Sequence, residues 1–450
     1  MATISPARKA AFDILLAVEG GKAHSDELLR GKALDPLSPA DRNLATALVL
    51  GVLRWQIWLD RQILPLLKRP NAKLDPEVLI ALRIGAFQLL FLDRIPAHAA
   101  IDESVELAKR SGHRFAAGMV NAVLRSAARR GPLDEVSGEL ARTQAHPEWM
   151  VVRWVGFYGS EAARAICQHG QTQPRLSVRI ADSEAEAELA KAGIQLVPGG
   201  LLTAARTVIS GGVTETAAFA DSRVRIQDEG SQLIGELASI SRNLDHKAKN
   251  VLDTCAAPGG KTLVLAERNS QASIVACESN PRRLAELRRR LNGLERVECR
   301  LADASALIED GRFDLVLADV PCSGTGTLSR NPEIRHRLRP EDLARHAEHQ
   351  RAILRAAIGA VRPGGCVVYS TCSLELEENE QVVATVLAEN LGVRQISIAS
   401  RIDALRRKGI LTHVGAERLQ SSRTAEGALR LLPGDSATDG FYVAVIEKAG

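Results

Sequence analysis

Two cysteines fifty residues apart are the side chains of this protein best placed to do chemistry. Cys322 sits in Asp319-Val320-Pro321-Cys322-Ser323-Gly324 and Cys372 in Ser370-Thr371-Cys372-Ser373. Each follows a short apolar run that reads as a buried strand, Leu315-Val316-Leu317-Ala318 before one and Cys366-Val367-Val368-Tyr369 before the other. In an open α/β sheet the crevice at the carboxyl ends of the strands is where ligands bind. Two thiols delivered there, one beside a carboxylate, fit nucleophilic catalysis. A cysteine taken alone is more often a small buried hydrophobe. Glycine, proline and serine around both thiols, at strand ends, argue for chemistry.

The elements that must position them are legible as alternation. From residue 250, strand candidates at 251–252, 274–277, 297–300, 313–318, 366–369 and 441–446 are mostly separated by helical segments such as 282–291 and 347–360. That pattern predicts a mostly parallel, doubly wound sheet. Residues 1–130 read as all-helical, with apolar residues at helical spacing in 7–18, 44–53, 78–92 and 119–124. Ser38-Pro39 and Asp75-Pro76 each offer a cap residue followed by proline at the first helical position, and Pro96 ends the helix carrying Leu89-Leu90-Phe91-Leu92. No strand pattern interrupts them, so a helical bundle with its own core is expected. Gly131-Pro132 marks a break. Residues 131–249 mix helices such as 161–168 with strand-like runs at 176–180 and 207–209, which reads as a small α+β linker domain.

Composition agrees with several domains, since 450 residues exceed one ordinary core. No signal pattern opens the chain and no apolar run approaches membrane-spanning length, so no membrane partner is expected. Seven cysteines without a Cys-x-x-Cys pair argue against a disulfide framework or a zinc ribbon and for a reducing, cytoplasmic setting. A net charge of +4 permits a nucleic-acid partner without demanding one. His336, His346 and His349 have no acid or cysteine spacing that completes a metal site, so no metal is expected.

After the first strand comes Asp253-Thr254-Cys255-Ala256-Ala257-Pro258-Gly259-Gly260-Lys261-Thr262. Small residues and two glycines let backbone N–H groups approach a ligand at a helix start. A triphosphate loop would need glycine five positions before Gly260, where Cys255 stands, and the dinucleotide G-x-G-x-x-G spacing is missing. S-adenosylmethionine has no phosphate to cradle. Its ribose hydroxyls want a carboxylate at the end of the second strand, where Glu278 is expected as an exposed acid, and Asp303 can meet its adenine edge after the third. Acids after strands one to four (Asp253, Glu278, Asp303 and Asp319) form a more specific pattern than any one alone.

These three motifs, with Glu377-Glu378-Asn379 after the second thiol and the closing Asp439-Gly440-Phe441-Tyr442-Val443-Ala444, resemble the Sun/RsmB family of S-adenosylmethionine-dependent RNA cytosine-5 methyltransferases. The front half resembles the NusB fold in Leu82-Arg83-Ile84-Gly85-Ala86-Phe87-Gln88-Leu89-Leu90 and Val120-Asn121-Ala122-Val123-Leu124-Arg125. The resemblance implies a Rossmann-like α/β methyltransferase domain (250–450) preceded by an all-α NusB-like RNA-binding bundle (1–130) and a linker with RNA contacts (131–249). It implies S-adenosylmethionine as cofactor, held by Cys255, Ala256, Ala257, Pro258, Gly259, Gly260, Lys261, Glu278, Asp303 and Asp319. It further implies a monomer acting on 16S ribosomal RNA. Cys372 is the implied nucleophile toward carbon 6 of cytosine, Cys322 the implied aid to release, and Asp319 the carboxyl near ring nitrogen 3. The remaining cysteines, Cys167, Cys255, Cys277, Cys299 and Cys366, lack this double signature and read as structural.

A base must be unstacked to reach such a site, which favours single-stranded RNA. Three arginine clusters offer phosphate contacts: Arg125, Arg129 and Arg130; Arg282, Arg283, Arg288, Arg289 and Arg290; and Arg330, Arg335, Arg337 and Arg339, the last favoured for lying after the Cys322 loop. Rival readings are a methyltransferase for another RNA, such as transfer RNA, and a non-catalytic NusB-like RNA-binding protein. DNA cytosine methylation fits less well, because Glu380 follows Glu378-Asn379 where valine would be expected.

Overall fold

The computed structural model describes residues 3–21, 23–70, 73–132, 140–241, 248–309, 311–434 and 438–450. They group into two units, one of Met1–Gln173 with Leu328–Arg337, the other of Pro174–Thr327 with Leu338–Gly450.

In the first unit Pro39 and Pro76 do open helices. These are α2 (Pro39–Ile63) and α3 (Pro76–Phe91), which follow α1 (Pro6–Glu19). Ser38 caps α2 by accepting from Asp41 N at 3.1 Å, whereas Asp75 makes no cap bond and lies 3.2 Å from His113 Nδ1. Pro96 does not end a helix. It precedes α4 (Ala97–Arg110), which apolar spacing failed to reveal because Ala100, Ser104 and Ala108 make up much of its buried face. α5 (Ala117–Arg130) and α6 (Glu148–Gln171) follow, α6 kinking at Gly159, whose φ of +82° suits glycine. Leu48, Leu59, Leu82, Ile84 and Leu124 form the core, and Gly85 admits the Leu124 side chain where a Cβ would stand 2.5 Å away.

The same unit buries the residues that follow the Cys322 loop. Arg335 is 2% exposed and donates to the carbonyls of Gly170 at 2.9 Å and of Arg54 and Ala145 at 3.2 Å. Arg337 donates to Val18 O and Ala23 O, and Glu333 accepts from Ser25 N and Oγ. Burial pushes the Arg335 guanidinium down to about 9 and His336 to about 3, with the His336 ring on Leu53 O at 2.7 Å. Arg335 and Arg337 therefore bind backbone, and the favoured phosphate cluster is corrected at both positions.

In the second unit four antiparallel strands, β1 (Ser177–Ile180), β2 (Gln195–Pro198), β3 (Ala205–Ser210) and β4 (Val224–Ile226), pair in the order β2-β3-β1-β4 over Val178, Leu189 and Val208. The large sheet contains β5 (Asn250–Asp253), β6 (Ser273–Glu278), β7 (Val297–Leu301), β8 (Phe313–Asp319), β9 (Val361–Thr371), β10 (Val393–Ile396), β11 (Leu429–Leu431) and β12 (Phe441–Lys448). Its order is β10-β12-β9-β8-β5-β6-β7, with β11 on β12. β5 to β9 run parallel and β12 is antiparallel to β9. Successive strand residues enter separate cores on the two faces, Leu315 and Leu317 in one, Val316 and Ala318 in the other. The expected doubly wound sheet is thus present, with a switch point between β5 and β8 where the strand order reverses. The sequence pattern had not revealed β10 and β11, which are short. No helix among the described residues is long and apolar enough to cross a membrane.

Arg335→Met should lower the unfolding free energy by roughly 2–4 kcal/mol, because carbonyls buried around the guanidinium lose their donors. Urea denaturation of the full chain measures this; a loss under about 0.5 kcal/mol, typical of surface sites, would contradict the buried clamp.

Candidate active site

β8 and β9 are paired in parallel with Asp319 opposite Ser370, so the chain leaves both strands at the same level. Cys322 and Cys372 follow within a few residues, and their sulfurs lie 3.3 Å apart. Backbone bonds hold the two loops together. Gly326 N donates to Cys372 O at 2.9 Å, Leu374 N to Thr325 Oγ1 at 2.9 Å, and Gly440 N to Gly326 O at 2.8 Å. A Cβ on Gly326 would stand 2.5 Å from Gly440 O and 2.8 Å from Cys372 O, so the approach requires glycine. Asn379 pins the second loop, accepting from Thr371 Oγ1 at 2.5 Å and donating to Ser373 O at 2.9 Å.

The Cys322 thiol is pushed well above its ordinary pKa by its hydrogen bond to Cys372, then by burial and by the neighbouring charges of Cys372 and Glu378. It is therefore a proton-bearing partner to the Cys372 sulfur. Lys261 reaches the same place from α7 (Gly260–Arg268), its Nζ 2.7 Å from Asp319 Oδ2. Burial works against the ammonium, but Asp319 and the Cys372 sulfur outweigh it and leave its pKa raised. Ser370 Oγ donates to the other Asp319 oxygen at 2.7 Å.

A cavity of about 220 Å³ opens at the carboxyl ends of β5, β6, β7 and β8. Of the residues expected there, Cys255, Ala257, Glu278, Asp303, Asp319, Cys322 and Cys372 line it. Ala256, Pro258, Gly259, Gly260 and Lys261 do not; they shape or support the loop. Gly259 opens α7 with φ +97°, and a Cβ there would meet Leu287 at 2.9 Å. His349 and Ile353 from helix Pro340–Ala360 also line the cavity, a contribution that spacing could not disclose because the helix lies elsewhere in the chain.

The strand-end acids differ. Glu278 is 5% exposed, a correction to the expected exposed acid; Oε1 accepts from Asn280 N at 2.9 Å, and Oε2 has the Arg283 guanidinium at 3.5 Å. Asp303 is exposed and caps the next turn by accepting from Ser305 N and Oγ, bonds that lower its pKa. Asp253 lies outside the cavity lining, buried, with Oδ2 accepting from Thr262 Oγ1 at 2.7 Å. Burial pushes it up to about 6. The thiols of Cys167 and Cys277 are pushed by burial to about 12, which suits a structural place. Among the described residues no group of three or more His, Cys, Asp or Glu is gathered to hold a metal ion.

Asp253 has a pH signature. Its folded pKa exceeds the unfolded value of about 3.9, so between about pH 4 and 6 the unfolded state loses a proton that the folded state keeps, and stability falls as pH rises. Relative to the parent, Asp253→Asn should gain up to roughly 3 kcal/mol across that window and nothing further above it. Urea unfolding of both proteins at stepped pH gives the difference, and a flat difference would mean that Asp253 titrates normally.

Comparison with known proteins identifies the family. A family model for the 16S rRNA methyltransferase RsmB/F matches residues 243–447, and one for the NusB family matches residues 5–129. The probable ribosomal RNA small subunit methyltransferase B of Bacillus subtilis is 34% identical over 98% of this chain and 99% of its own length. The ribosomal RNA small subunit methyltransferase B of Pseudomonas putida is 32% identical, covering 98% of each chain. The fold is similar to the crystal structure of PH0851, with a TM-score of 0.79 at 23% identity over 99% of this chain and 100% of that one. A methyltransferase homolog protein from Pyrococcus horikoshii matches 69% of this chain and 97% of its own with a TM-score of 0.54 at 24% identity. Shared sequence over nearly the whole length, together with both family models, leads to one assignment: the chain belongs to the RsmB/F family of 16S rRNA methyltransferases, with a NusB-family domain ahead of a Rossmann-like methyltransferase fold.

Proposed function

We propose that the protein transfers a methyl group from S-adenosylmethionine to carbon 5 of a cytosine in 16S ribosomal RNA, through a covalent bond between Cys372 and carbon 6. The observation that carries this reading is the pair of thiols, 3.3 Å apart, lining one cavity with Glu278, Asp303 and Asp319.

The residues fit the cofactor. Glu278 Oε2 keeps capacity to accept from ribose hydroxyls, and Asp303 Oδ2 makes no hydrogen bond among the described residues. When bound, S-adenosylmethionine supplies an electrophilic methyl group. Carbon 5 of cytosine is a poor nucleophile until a thiolate adds to carbon 6 and makes the ring an enamine, which divides one difficult step into easier ones. Cys372 supplies that thiolate. The Lys261 ammonium and the Cys322 S–H stabilise its charge before attack, as preorganised dipoles do. Asp319, fixed by Lys261 and Ser370, faces ring nitrogen 3 as the adduct forms. After methylation water takes the carbon 5 proton, the electron pair of that C–H bond re-forms the double bond between carbons 5 and 6, and the carbon–sulfur bond breaks with its pair returning to the Cys372 sulfur. Cys322, still protonated, hydrogen-bonds to the departing sulfur and assists release.

The helical domain serves RNA placement in this reading, with 131–249 as linker and further RNA surface. Arg125 and Arg129 are exposed on α5, whereas Arg130 donates to Gln62 O at 2.8 Å. Because Leu328–Arg337 belongs to the helical unit, deleting the bundle would strip Arg335 of Arg54 O and Arg337 of Val18 O and Ala23 O. Charge reversal is the cleaner test. Arg125→Glu with Arg129→Glu should raise KM for a structured ribosomal RNA fragment about tenfold and flatten its salt dependence, with S-adenosylmethionine affinity unchanged in calorimetry. An unaltered KM would remove α5 from the RNA surface.

The thiols are separated by substitution. Cys372→Ala should abolish methylation and form no covalent RNA adduct. Cys322→Ala should methylate once and stall, leaving protein linked to labelled RNA as a shifted band on a denaturing gel. The shifted band with Cys372→Ala alone would reverse the roles, and full activity in both variants would make the thiols structural.

A further inference from the structure

Glu378 lies in the loop after Cys372 and is fully buried, yet the chemistry above makes no use of it. Its carboxylate accepts from four donors. Oε1 takes the Ser323 backbone N–H at 2.8 Å and Gln350 Nε2 at 2.9 Å, and Oε2 takes the hydroxyls of both Ser323 and Ser373. Ser323 immediately follows Cys322, and Ser373 immediately follows Cys372. Their hydroxyl oxygens lie 3.0 Å apart on the one carboxylate. Gln350 uses its second N–H on Pro321 O at 3.0 Å, the residue before Cys322. The Glu378 backbone is itself fixed, since Tyr369 Oη donates to its carbonyl at 2.6 Å.

A buried carboxylate is costly unless its oxygens are satisfied. Here three of the four donors come from the two thiol loops, so neither loop can move outward without leaving the carboxylate short of partners. We infer that Glu378 is a positioning residue that sets the separation of the Cys322 and Cys372 sulfurs. Its consequence for turnover rests on the roles proposed above for those thiols. Release needs Cys322 beside the sulfur that departs, whereas in attack Cys322 only shares with Lys261 the stabilising of the Cys372 thiolate. Loss of Glu378 should therefore slow release more than attack.

The test uses Glu378→Gln in the full chain. The amide offers one acceptor oxygen in place of two and turns an N–H toward groups that themselves donate. Phenylarsine oxide reports the sulfur separation without any catalysis: its arsenic takes up two thiols, forming two As–S bonds and releasing water, only when the thiols are adjacent. Peptide mass spectrometry identifies the Cys322–Cys372 adduct, and Cys372→Ala should lack it. Glu378→Gln should bind the arsenical at that pair at least about tenfold more weakly than the parent, while circular dichroism shows a folded chain. In turnover, displacement of the order of 1 Å should cost roughly 100-fold, with the RNA adduct accumulating. Arsenical binding equal to the parent overturns the inference. If Glu378→Gln does not fold, Ser373→Ala keeps the carboxylate and removes one donor; it should weaken the arsenical by a smaller factor, and parental binding overturns the inference there too. If the parent itself forms no RNA adduct, the proposed reaction fails, while the arsenical still decides whether Glu378 sets the spacing.

Discussion

The parallel pairing of β8 with β9 is the constraint on which the proposed site depends. With Asp319 opposite Ser370, loops of different sequence leave the sheet at one level and bring two sulfurs into contact. A slip of one residue would turn every side chain to the other face of the sheet. That slip is resisted on both faces, since Leu317 and Val368 pack into one core while Val316 and Val367 pack into the other. Beyond the strand ends Val320 N continues the pairing onto Ser370 O at 3.0 Å. The strands therefore deliver the thiols as a rigid consequence of core packing, and the loops need only finish the geometry.

At the switch point between β5 and β8, acids and one ammonium share a poorly solvated space. Lys261 and Asp319 form an ion pair there, and Asp253 is left nearer its neutral form by burial. These environments push apart groups that would titrate together in water, the usual way in which one site holds both charged and proton-bearing groups. The Cys322 thiol belongs to the same arrangement. Its hydrogen bond to Cys372 and its burial keep it protonated, while Lys261 beside Asp319 stays charged against burial.

Arginine shows how little a residue type decides without its surroundings. Arg335 and Arg337 looked like phosphate ligands from their place after the Cys322 loop. Arg335 instead spreads its guanidinium over buried carbonyls, a task suited to a planar fork with five donors. Arg282, Arg288 and Arg289, in a run of similar composition, lie exposed on helix Pro281–Arg290. The difference is burial, which a run of like charges cannot report.

The sequence by itself determined the doubly wound sheet, the helical front half, the acids at strand ends and the two thiols after strands. Those features are local: apolar runs make strands, glycine and proline punctuate them, and the residue after a buried strand must emerge at an end of the sheet. It missed α4 because small residues on a buried face mute the apolar signal. Only the tertiary structure decided the 3.3 Å between sulfurs, the burial of Glu278, the pairing of Lys261 with Asp319 and the gathering of both thiol loops on Glu378. Each of these joins residues distant in the chain, and their meeting follows from strand register and core packing, which no window of sequence contains.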